Sequence, residues 1–167
     1  MGKSLNICLS CGICCDGTLL GFVQLESEER SRLRKLMDIE EVGDKGFFFQ
    51  PCSKLGCNGC TIYPDRPKKC GEFQCKMLKA FEKKELDFDS AISVINLVKQ
   101  KRMTIEKHLT SLPVKLQSRS FYFKILELKN LLRQDKFRIS LSEKHENLLS
   151  EIQELDQLAG QYFGIAY

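Results

Sequence analysis

The octapeptide CLSCGICC, residues 8–15, places four thiols in eight positions, and that density limits the fold more than any other feature of the chain. All nine cysteines, Cys8, Cys11, Cys14, Cys15, Cys52, Cys57, Cys60, Cys70 and Cys75, lie in the first 75 of 167 residues, and none follows. A disulfide framework fits poorly. The count is odd, and the opening MGKSLNIC has no apolar run of signal-peptide length, so we expect a cytoplasmic chain with reduced thiols. Ordinary burial of small hydrophobes explains scattered cysteines, not two dense clusters. Metal ligation does explain them. In Cys8-x2-Cys11-x2-Cys14 the two-residue spacers let the chain curl so that successive thiolates converge, and Gly12 eases that curl. These three cysteines match the opening of the bacterial ferredoxin run, whose fourth cysteine is missing here. Cys15 directly follows Cys14, and adjacent side chains diverge. Two metal centres, or one polynuclear cluster, are therefore expected.

A second group supplies further ligands in PCSKLGCNGCTIYPDRPKKCGEFQC, residues 51–75, where Cys57-x2-Cys60 forms a short knuckle and Cys70-x4-Cys75 closes the segment. Histidines are remote, at His108 and His145, so an all-cysteine zinc site and an iron–sulfur cluster suit the donors equally. The spacing of Cys8, Cys11 and Cys14 points toward iron. That of Cys57, Cys60, Cys70 and Cys75 would make a zinc site. The two segments together resemble the family of zinc- or iron-chelating domains known for a CxxCxxCC signature, in which four clustered cysteines precede a single cysteine, then C-x-I-Y-x-x-R-P-x-x-C and a last cysteine. The resemblance implies ligand roles for Cys8, Cys11, Cys14, Cys15, Cys52, Cys60, Cys70 and Cys75, with Ile62, Tyr63, Arg66 and Pro67 completing the pattern. Cys57 departs from it and is kept as a ninth candidate ligand.

Other residues of the segment have bland readings beside functional ones. Arg66 either offsets thiolate charge or pairs on the surface with Asp65 or Glu72. Tyr63 is expected to pack with its hydroxyl hydrogen-bonded, and Asp16 to be a turn residue rather than an oxygen ligand. Pro64 and Pro67 stiffen the path between Cys60 and Cys70. His145 falls on an apolar helical seam and is expected to pack there.

Between the clusters the chain reads as α+β. TLLGFVQL, residues 18–25, predicts a strand, Ser27 caps a helix running to about Met37, and GDKGFFFQ predicts a turn and a strand. Residues 1–80 are expected to form the cysteine-cluster domain and 81–167 a mainly helical region packed on it. Phe73, Met77 and Phe81 predict a helix leaving the cysteines. Further helices are expected over 89–109, over 119–133, and from Ser140, with Glu143, to about Tyr162. In the last, Leu141, His145, Leu148, Ile152, Leu155, Ala159 and Tyr162 form one seam, for the core or for a protein partner or homodimer.

The net charge of +4 splits evenly between the halves, so no basic stripe points to nucleic acid, and no apolar run is long enough for a membrane helix. We expect a metal-binding protein holding zinc or an iron–sulfur cluster, with the helices as scaffold or docking surface. Two alternatives stand beside it. One is a cluster-dependent modifying enzyme, since flagellin lysine N-methylases share a similar cysteine signature, although no S-adenosylmethionine motif is present. The other is a thiol redox or metal-delivery protein working through Cys57 or Cys15.

Overall fold

The computed structural model describes residues 6–134 and 146–167. It is α+β, with one short helix ahead of a small antiparallel sheet, a two-residue hairpin after it, and helices from there on.

Strands β1 (Phe22–Leu25), β2 (Glu40–Val42) and β3 (Lys45–Phe49) form a sheet of order β1-β3-β2, with Val23 opposite Phe48 and Val42 opposite Lys45. Alternation sends Val23, Leu25 and Phe48 to one face. There they pack with Leu33 and Met37, closing a small core that Cys52, Ile62 and Cys70 flank. Phe22, Phe47 and Phe49 lie on the other face, where Phe22 stacks on Phe123 at 6.2 Å between ring centroids. The strand predicted over 18–25 forms only from Phe22, because Thr18 and Leu19 are buried in the loop before it and face the helices. The following helix is capped one residue earlier than expected. The Glu29 carboxylate accepts the Glu26 N–H at 3.1 Å, a 3-10 turn covers Ser27–Glu29, and α2 spans only Arg30–Leu33. β2 was not predicted: its three residues are exposed and carry no alternation.

The hairpin β4 (Leu55–Gly56) and β5 (Gly59–Cys60) leads through a 3-10 turn at Tyr63–Asp65 to α3 (Lys68–Glu72) and α4 (Lys76–Glu82). Phe73 stands outside the helix predicted through it, in extended conformation at the end of α3. The long α5 (Phe88–Thr110) starts where Asp87 accepts the Ser90 N–H at 2.9 Å. α6 (Phe121–Leu132) is capped by Ser120, and α7 (Glu146–Leu158) continues as a π turn over Ala159–Phe163. The predicted cap Ser140, Glu143, Leu141 and His145 lie outside the described residues. Leu148, Ile152, Leu155 and Ala159 of the seam are buried in the chain's own core.

That core joins both ends of the chain. Ile7, Ile13 and Leu19, which flank the first cysteines, are buried in one cluster with Met77, Ile95 and Val98 of α5, Ile125 of α6 and Leu155 of α7. The cysteine turns are therefore built on the helices, with α1 (Ile7–Cys11) packed against α5. No described helix is long and apolar enough to cross a membrane.

Candidate metal centre

The first four thiols sit on a turn held from both sides. Five residues are too few to stay helical alone. Asn6 caps α1, its Oδ1 accepting the N–H of Cys8 at 3.1 Å and of Leu9 at 3.3 Å, and Gly12 ends it in the left-handed region at φ 68°. Cys14 and Cys15 follow immediately. Asp16 then closes the turn: one carboxylate oxygen accepts the Thr18 N–H at 2.8 Å and the other pairs with Arg102 of α5 at 2.8 Å. It is the expected turn residue, with an ion pair the sequence did not reveal.

The later thiols are carried to the same place. The Cys52 N–H donates to the Cys15 carbonyl at 2.7 Å, fixing Cys52 beside the Cys14–Cys15 pair. Gly59, at φ 93°, lies so close to α1 that a Cβ there would stand 2.5 Å from the Leu9 carbonyl oxygen, so the hairpin bearing Cys60 lies flat on α1. Cys70 sits on α3, and Cys75 caps α4. The sulfurs of Cys75 and Cys52 accept the N–H groups of Leu78 and Lys54, each at 3.4 Å, which fastens both side chains to the backbone.

Cys8, Cys11, Cys14, Cys15, Cys52, Cys60, Cys70 and Cys75 line one cavity of about 760 Å³. All nine cysteines are free thiols. Cys57 is exposed and does not line the cavity, so the sequence-based grouping of Cys57 with Cys60, Cys70 and Cys75 is not the one the fold brings together.

The thiols act on one another unevenly across the cavity. Burial pushes the Cys8 thiol up, and Cys75 adds to that. Burial also lifts Cys11 to about 12, with Cys75 and Cys8 contributing, and raises Cys14, with Cys11 and Cys75 its strongest thiol neighbours. On the other side, Cys15 is raised to about 12 by burial and then by Cys52 and Cys60. Cys70 reaches about 12 through burial, followed by Cys15, Cys52 and Cys60. Cys52 is raised by burial, with Cys60 its thiol neighbour. The leading thiol–thiol effects run among Cys8, Cys11, Cys14 and Cys75 and among Cys15, Cys52, Cys60 and Cys70, while Cys14 with Cys15 and Cys15 with Cys8 also act across the two groups. The Cys14–Cys15 peptide joins them. Cys75 thus stands where the incomplete ferredoxin-like run lacks its fourth cysteine.

Arg66 also lines the cavity, its guanidinium 3.7 Å above the centroid of the Tyr63 ring and its Nη1 donating to the Tyr63 carbonyl at 3.3 Å. Neither expected carboxylate holds it, for Asp65 faces Arg32 and Glu72 faces Lys68. The Tyr63 hydroxyl accepts from Asn6 Nδ2 at 2.8 Å, the packed and satisfied role expected of it. Sequence reasoning missed Asn6, although an asparagine two residues before Cys8 is a recognisable cap signal. It also missed Gln50, 3% exposed on the cavity wall with Oε1 unpartnered among the described residues, which no local pattern marks.

This donor set fits a thiophilic metal. The eight side chains all offer sulfur, and burial holds Cys11, Cys15 and Cys70 protonated unless a positive charge replaces the proton. Among the described residues no three His, Cys, Asp or Glu side chains are grouped to hold an ion as they stand.

No curated protein and no solved structure matches the chain significantly. A family model does: CxxCxxCC, described as "Putative zinc- or iron-chelating domain", matches residues 7–91, just over half of the chain and every one of its cysteines. With the signature thiols gathered around one cavity, the chain belongs to the CxxCxxCC family of zinc- or iron-chelating domains.

Proposed function

We propose that the chain binds metal at two adjacent centres, one held by Cys8, Cys11, Cys14 and Cys75 and the other by Cys15, Cys52, Cys60 and Cys70, with the helical half as their scaffold. The observation that supports this is that eight thiols line one cavity, with the leading thiol–thiol effects running within two groups of four. Four thiolates satisfy either a structural zinc ion or a four-iron cluster. The ferredoxin-like spacing of Cys8, Cys11 and Cys14 favours clusters. When bound, such a cluster supplies electron transfer or structural cross-linking. The protein's own part is to exclude water, donate N–H groups to sulfur and keep the two sets apart.

Anaerobic purification followed by elemental and acid-labile sulfide analysis tests this. Iron with sulfide and a broad visible absorption band is the expected result. Zinc filling both sets in a colourless protein would retain the two centres and overturn the clusters. Absence of stoichiometric metal after reconstitution with either would overturn the whole reading.

A further inference from the structure

The segment that follows α7 meets the cysteine region at three separate places, through Phe163, Lys76 and Thr18. α7 widens into the π turn over Ala159–Phe163, and wide turns of this kind occur mostly where a helix is fitted to a functional site. Phe163, 2% exposed, comes off that turn to line the thiol cavity. Lys76, the residue after Cys75, grips the same turn, its Nζ donating to the Gly160 carbonyl at 3.3 Å. The Lys76 stem lies against Gly164, where φ is 73° and an added Cβ would stand 3.1 Å from Lys76 Cγ. Beyond Gly164 the Tyr167 hydroxyl donates to the Thr18 carbonyl, in the loop that follows Cys14 and Cys15. Tyr167 is itself held firmly. Its ring packs on Tyr122 at 5.5 Å between centroids, and its N–H donates to Asp156 at 2.9 Å. Lys129 bonds the Asp156 carboxylate and the Tyr167 main-chain oxygen, each at 3.0 Å. Residues 159–167 thus tie the last cysteine to the first cysteine run, which the chain itself joins only by way of the sheet and hairpin.

We infer that residues 159–167 are a clasp on the metal cavity: Phe163 closes its wall, Lys76 and Tyr167 fasten the segment beside Cys75 and behind Cys15, and Tyr167 is a positioning residue for that turn. Metal retention then depends on a segment that supplies no ligand. This rests on the cavity being the metal site, as proposed above, and holds for one centre or two. Thiols share a metal only while their turns keep their spacing, so a hydrogen bond that fixes one turn stabilises the loaded state more than the empty one. By linkage, bound metal in turn steadies the segment.

The test uses the full chain, loaded with whichever of iron–sulfide or zinc it retains, and three single-residue variants. Tyr167→Phe removes the hydroxyl alone. Gly164→Ala forces a side chain onto Lys76 in the left-handed region, whereas Gly43→Ala imposes like backbone strain, at φ 60° in the β2–β3 turn, where an added Cβ meets no described residue within 4 Å. Metal release to excess chelator is timed by elemental analysis, and the denaturant midpoint of each metal-free variant gives its stability. Amide exchange reads the Ile165 and Tyr167 N–H groups, which bond Ala159 and Asp156, with and without metal. Release should quicken about 3- to 10-fold in Tyr167→Phe and Gly164→Ala, the order of one hydrogen bond, and both amides should exchange more slowly in the loaded parent. Gly43→Ala should lose stability without that acceleration. The clasp is overturned, with the metal site left standing, by unchanged release in Tyr167→Phe, by release in Gly164→Ala no faster than in Gly43→Ala, or by exchange indifferent to metal. Should Gly164→Ala fail to fold, Tyr167→Phe and the exchange decide. A parent that holds no metal overturns the metal reading and this inference together.

Discussion

At the scale of single residues, burial is what prepares these thiols for metal. Cys11, Cys15 and Cys70 are pushed from the ordinary thiol value near 9 to about 12, burial being the first cause in each. Their folded-state values are raised, so they cost the metal-free fold nothing while thiols are neutral in both states. Stability is lost as the pH climbs from the unfolded value toward about 12. The reduced, metal-free protein should therefore unfold at lower guanidinium concentration at about pH 10 than at about pH 7. Metal retention should run the other way and strengthen with pH, since each bound thiolate has given up a proton. A denaturant midpoint that stays level in the metal-free protein would contradict the account of buried neutral thiols. At this scale the sequence was highly legible: eight of the nine candidate ligands line the cavity, and Cys57, the position that departs from the family pattern, does not. The pairing of ligands was not legible. Spacing groups neighbours in the chain, whereas the strongest mutual effect on Cys8 comes from Cys75, at the far end of the cysteine region.

At the scale of elements, short segments are held by contacts to distant ones. The turn carrying Cys14 and Cys15 is fastened to α5 by Asp16 and Arg102, both largely buried, and Arg102 also pairs with Glu106 at 3.2 Å. The Tyr122 N–H donates to the Gly17 carbonyl at 2.8 Å and the Tyr167 hydroxyl bonds the Thr18 carbonyl, so α6 and the segment after the π turn hold the same loop. Asp16→Ala should lower the stability of the metal-loaded protein by about 1–3 kcal/mol, leaving Arg102 short of a partner. Leu155→Ala, at a fully buried position of α7, should cost about 2–5 kcal/mol. Chelator release separates the two: Asp16→Ala should speed metal loss more than its smaller stability cost would suggest, and equal or slower loss than in Leu155→Ala would show that the Asp16 tie does not position the thiols. The long helices were legible because their apolar periodicity is strong, α5 and α6 falling within two residues of expectation. β2 and the truncated β1 were not, because their limits are set by packing rather than by pattern.

At the scale of the whole molecule, the cysteine region and the helices form one packed unit. Ile7, Ile13 and Leu19 brace the first cysteines from within the main core, which α5, α6 and α7 complete. A second, smaller core under the sheet flanks Cys52 and Cys70. Cys11, Cys14 and Cys75 pack against the main core, and Cys52 and Cys70 against the smaller one. The change of character after Cys75 marks a change in chemistry along the chain, not a break in packing, and composition alone shows only the former.

The most direct measurement of the central claim is metal stoichiometry in three single-cysteine variants of the full chain, purified anaerobically beside the parent. Cys75→Ser and Cys52→Ser should each lose about half of the bound metal, one centre apiece, while Cys57→Ser keeps all of it. Complete loss of metal in either of the first two, or a loss in Cys57→Ser as large as theirs, would contradict two separate four-cysteine centres.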